Sequence, residues 1–119
     1  MSQISVSEAS DLLQKLFDER TSLAAFFVTP SRARIRLNGF IIGATRKEGL
    51  LVADRLPPAT PSNWINVFPF AEGECVFTYG ERREVTEDVR LLLTTDLGES
   101  ALIMRFLVTD ETLTLFFTL

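Results

Sequence analysis

One change of period divides this chain and constrains its fold more than any other feature. Up to Arg20 the apolar residues recur at helical spacing; from Ser22 to Leu119 they come in short runs broken by turn residues. Ala9, Leu12, Leu13, Leu16 and Phe17 form one stripe, with Asp11, Gln14, Lys15, Asp18 and Glu19 falling largely on the other face. Ser5 stands three residues before Glu8, the arrangement of a capping box, and Ser7 is a competing cap. Either start predicts a helix of about three to four turns ending near Arg20. Its stripe has to bury against something, and the only candidate is the β-patterned remainder.

That remainder reads as strands. Leu23 to Thr29 is apolar with aromatic and β-branched residues, and Pro30-Ser31 ends it. Arg32 to Ile42 alternates, with Arg32, Arg34 and Arg36 on one face and Ala33, Ile35 and Leu37 on the other. Asn38-Gly39 inside this run is either a tight hairpin turn or a bulge that bends a long strand. Arg46 to Gly49 reads as a polar turn and Leu50 to Asp54 as a strand. Arg55 to Asn63, with Pro57, Pro58 and Pro61, is the longest loop. Trp64 to Phe70 resumes a strand that Pro69 places at an edge or ends abruptly. Ala71-Glu72-Gly73 turns into a strand from Glu74 to Tyr79, and the charged stretch Gly80 to Asp88 suits a short helical turn. The runs Val89 to Thr95, Ala101 to Thr109 and Leu113 to Leu119 follow, joined by Asp96-Leu97-Gly98-Glu99 and Asp110-Glu111.

A strand every ten to twelve residues or about that is the spacing of an antiparallel meander. The expectation is one α+β domain over residues 1–119: an N-terminal amphipathic helix packed on an antiparallel sheet of about six to eight strands curled into a small barrel, with a two-sheet sandwich as the alternative. Leu91-Leu92-Leu93 and Leu115-Phe116-Phe117 are apolar on both faces and need a second cover. The helix supplies part of it, and a second copy of the chain would supply the rest, so a homo-oligomer is expected.

Composition limits the chemistry. The chain has no histidine and one cysteine, Cys75. Serine–histidine and cysteine–histidine catalysis, histidine-ligated metals, thiolate metal sites and an internal disulfide are therefore excluded. Carboxylate chemistry, lysine chemistry and plain binding remain, with no cofactor expected. No apolar run approaches the roughly 18–20 residues of a membrane span, and Met1 to Glu8 lacks the pattern of a secretory signal, so a cytoplasmic protein with no membrane partner is expected. A net charge of −4 argues against indiscriminate nucleic-acid binding while leaving room for a local basic patch.

The alternating Arg32, Arg34 and Arg36 are the most specific candidate site. On one strand face they would stand about 6.6 Å apart, a row suited to phosphates or carboxylates. With Arg46, Lys47, Arg82 and Arg83 they could build a patch for nucleic acid or another anionic ligand. The plainer reading is a solvated face paired across to Glu48, Glu74 or Glu84. Trp64, beside the proline-rich loop, is either a stacking platform or a partly buried core residue. Asp54, Asp88, Asp96, Glu99, Asp110 and Glu111 sit in predicted turns and lack the spacing of a calcium loop. Cys75 is expected to be buried and inert.

Arg36-Leu37-Asn38-Gly39-Phe40-Ile41-Ile42-Gly43, followed by Gly49-Leu50-Leu51-Val52-Ala53-Asp54, resembles the first motif of Sm-like proteins. That resemblance, over residues 36–54, implies a helix leading into a small, strongly bent barrel, with RNA binding and ring assembly. Arg32-Ala33-Arg34-Ile35-Arg36 also has the R-x-x-x-R spacing of PilZ domains, which bind a cyclic dinucleotide. The second motif of that family is missing, since the stretch ending at Gly49 reads Ala44-Thr45-Arg46-Lys47-Glu48. Three functions are thus in view: a non-enzymatic binding or assembly module that self-associates, an anion or nucleic-acid binder, and a small carboxylate enzyme.

Overall fold

The capping box closes as expected: the Glu8 amide donates to Ser5 Oγ at 3.0 Å, and the Ser5 amide donates to the Glu8 carboxylate at 3.2 Å. The computed structural model describes residues 1–45, 49–67, 74–85 and 98–119. From that cap the helix α1 runs Val6–Asp18. It ends in a Schellman motif: Arg20 takes a left-handed conformation (φ 52°), its amide donates to Phe17 O at 3.2 Å, and the Thr21 amide donates to Leu16 O at 3.1 Å.

Eight strands follow or flank it: β1 Ser2–Ile4, β2 Leu23–Val28, β3 Arg34–Thr45, β4 Gly49–Ala53, β5 Trp64–Val67, β6 Cys75–Glu81, β7 Ser100–Phe106 and β8 Glu111–Phe117, with a 3₁₀ turn at Arg82–Glu84. They pair antiparallel in the order β1-β6-β7-β8-β2-β3-β4-β5. The α+β expectation of one helix on an antiparallel sheet holds. The order is two meanders joined where the earliest long strand, β2, pairs with the last, β8.

Strand β3 bends the sheet. Its first half pairs with β2, from Arg34 opposite Val28 to Gly39 opposite Leu23. Its second half pairs with β4 from Phe40 opposite Ala53, with a register slip between Ile41 and Gly43. Asn38-Gly39 is therefore no hairpin turn but part of a continuous strand. A Cβ at Gly39 would stand 1.9 Å from Ala53 O, so only glycine lets β4 come in at the hand-over.

Two expectations are corrected. The sheet is not closed into a barrel: among the described residues no ladder joins the end strands β1 and β5. The physical reason lies at the ends. β1 is only three residues long and turns at once into α1, which packs on β3 and β6, so the edge offers little ladder for closure. Strand β3 also begins later than the alternation suggests. Arg32 has φ 64° and belongs to a turn closed by its amide on Thr29 O (2.8 Å) and by the Thr29 amide on Ala33 O (3.0 Å).

The concave face holds the main core, where Ala9, Leu13 and Leu16 of α1 meet Leu37, Ile41, Leu50, Phe77, Leu102, Leu115 and Phe117. A second cluster on the other face joins Ala24, Phe26, Val85, Ala101 and Phe116. Its centre is the Phe26–Phe116 pair, edge to face at 5.8 Å. Leu115, Phe116 and Phe117 are all at most 1% exposed within the single chain, so both faces of β8 find their cover internally. The expected strand Val89 to Thr95, with Leu91-Leu92-Leu93, and the stretch around Pro69 lie outside the described residues. No helix among the described residues is long and apolar enough to cross a membrane.

Candidate functional site

Asp54, just past β4, ties the proline-rich loop at its neck. Its carboxylate accepts from the Ser62 amide at 2.9 Å and the Asn63 amide at 3.2 Å, and its own amide donates to Asn63 O at 3.1 Å. Trp64 is the next residue, opposite Ala53 in the β4–β5 ladder. Alternation along β5 sends Ile65 and Val67 into the core and turns Trp64 outward, where it is 62% exposed. The reading of Trp64 as a partly buried core residue is thus corrected.

A groove of about 400 Å³ runs from Trp64 to the first half of β3, with Ile35, Arg36, Asn38, Asp54 and Asn63 along it. Arg36 is exposed, and its guanidinium carbon lies 5.6 Å from the centroid of Phe26, its cross-strand partner on β2. That cation–π contact holds the guanidinium over the Phe26 ring. Arg34 shares its face one alternation away, about 6.6 Å along the strand.

The other described cations of the expected patch, Arg32, Arg82 and Arg83, lie elsewhere. Arg32 sits in the turn before β3. Arg46 and Lys47 lie outside the described residues. Arg82 and Arg83 follow β6, which the strand order places four ladders from β3, about 19 Å across the sheet. Arg83 forms an ion pair with Glu81. Of the expected acidic partners, Glu84 pairs with the Met1 amino group, which holds its carboxyl below the usual range. Glu74 stands at the start of β6, and Glu48 lies outside the described residues. Among the described residues, Arg34 and Arg36 are the two of these cations that share a strand face.

The turn acids are likewise dispersed. Asp54 serves the loop neck, Asp110 bridges Arg105 at 3.5 Å, and Glu111 opens β8 opposite Phe106. Asp88 and Asp96 lie outside the described residues. Among the described residues no three histidine, cysteine or acidic side chains gather as a metal site. Cys75 is buried on β6, and that burial pushes its thiol up to about 12. The chain matches no protein-family model, and no curated protein or solved structure matches it.

Sequence reasoning missed Ile35, Asn38 and Asn63 as groove residues. Ile35 alternates with the core residue Leu37 and so reads as buried, yet it is 49% exposed. It lies on β3 before the first residue paired with β4, so that neighbour does not cover it.

Proposed function

We propose that this chain is a non-enzymatic binding module that takes a planar, negatively charged ligand, a nucleotide either free or within a single strand, between Trp64 and Arg36. The observation that carries the reading is the exposed indole of Trp64, next to the Asp54-tied loop neck, on a groove that Arg36 also lines. An indole offers a stacking face, which is worth about 1–3 kcal/mol per base. Arg36 and Arg34 offer charge at strand spacing for phosphates. The net charge of −4 confines attraction for polyanions to this local feature. The Sm-like resemblance of residues 36–54, which implies RNA contact, points to the same stretch.

Trp64 is the only tryptophan, so intrinsic fluorescence reads this groove alone. Titration with a pyrimidine decanucleotide should quench and shift the emission, with affinity falling as salt rises. A mononucleotide run beside it separates a free-nucleotide site from a strand site. An emission spectrum that neither ligand moves ends the reading.

A second reading is self-association through the same surface, since Ile35 and Trp64 are two large apolar side chains exposed on one groove. Sedimentation equilibrium decides it: Trp64→Glu should dissociate a dimer, and a wild-type monomer at high concentration rules the dimer out.

A further inference from the structure

The main core ends, beneath the β7–β8 turn, in a second cavity of about 380 Å³ that shares no residue with the Trp64 groove. Phe27, Val67, Phe106 and Val108 supply its apolar walls. Its size falls in the range of small-molecule pockets, about 300–1,000 Å³.

Its charged lining residues are both acidic, beside the neutral Asn66 and Thr109. Glu111 lines the cavity, opposite Phe106 in the β7–β8 ladder. Two residues on, Leu113 is buried in the main core, so alternation gives Glu111 the core face of β8. Glu74 also borders the cavity, its carbonyl held by the Leu107 amide at 3.0 Å. Among the described residues neither carboxylate has a cationic partner. Arg105, the cation of this hairpin, alternates to the opposite face from Phe106 and is engaged by Asp110.

A carboxylate at the mouth of an apolar cavity without a counter-charge is matched by a ligand that brings one. We propose that this cavity binds a small organic amine, its ammonium on Glu111 with Glu74 beside it, and its aryl or alkyl body between Phe27 and Phe106. Aromatic rings among the lining residues favour the same sign of charge. An anionic or neutral ligand of equal shape gains the apolar contact and lacks the ion pair.

A matched series tests this on the full chain: 4-phenylbutylamine, 4-phenylbutanol and 4-phenylbutyrate, followed by calorimetry and by amide shifts in NMR spectra. The amine should bind at least about tenfold more tightly than the alcohol, and the acid more weakly than either. Shifts should centre on Phe27, Phe106 and Glu111 and leave Trp64 unmoved. Glu111→Gln should bring the amine to the level of the alcohol, and unchanged alcohol affinity shows that the variant keeps its fold. The wild-type series alone suffices to overturn the proposal: equal binding of all three, binding of none, or shifts centred on Trp64 each does so.

Discussion

At the scale of single residues, backbone conformation makes the sharpest predictions. Arg20 closes α1 in the left-handed region, where a Cβ costs about 1 kcal/mol and glycine nothing. Arg20→Gly should therefore raise stability by up to about 1 kcal/mol, seen as a higher denaturant midpoint at unchanged slope. Gly39→Ala should do the reverse and cost about 2–3 kcal/mol, because Ala53 O already occupies the place of the new methyl group. Cys75 makes a pH prediction. An unfolded thiol titrates near 9.0 and the buried one near 12, so the folded chain keeps a proton that the unfolded chain gives up. Its contribution to stability is complete below pH 9.0 and is lost as pH rises toward 12. Denaturation midpoints measured between those limits should fall, and Cys75→Ala should flatten that part of the curve.

At the scale of elements, β3 carries the argument. Alternation within a strand is a local property, and it correctly set Arg34 and Arg36 on one face. Arg32 looked equivalent because the pattern of its neighbours does not reveal the left-handed turn that takes it out of the strand. Binding should separate the three. Arg36→Gln is expected to weaken nucleotide binding about tenfold and to lower its salt dependence. Arg34→Gln should weaken it less, and Arg32→Gln should leave it at the wild-type level. Equal losses at all three would mean a diffuse electrostatic field in place of a groove. The loop neck adds a fourth test. Asp54→Ala should cost binding and about 1 kcal/mol of stability, since two amides lose their acceptor and Trp64 loses its anchor.

At the scale of the whole molecule, the pairing of β2 with β8 joins the two meanders and puts apolar residues on both faces of the central strands. Because the chain itself covers Phe116, Phe116→Ala should lower the unfolding free energy by about 3–5 kcal/mol, with a midpoint independent of protein concentration. A midpoint that rises with concentration in the wild type would place that cover between subunits instead.

What the sequence determined by itself was what short-range chemistry controls. The Ser5–Glu8 box and the apolar stripe fixed α1 to within two residues, and strand patterns located β2, β4 and the proline-rich loop. The tertiary structure alone decided which strands became neighbours, that Asn38-Gly39 continues a strand and does not reverse it, and that the sheet does not close into a barrel. It also decided that Trp64 stands in solvent on the groove that Arg36 lines, although the two are 28 positions apart in the chain. β1 escaped notice because three polar-to-apolar residues carry no period; only its ladder with β6 makes it a strand. Local signals depend on residues a few positions apart, whereas burial and sheet order depend on contacts between distant segments, and those contacts exist only once the chain has folded.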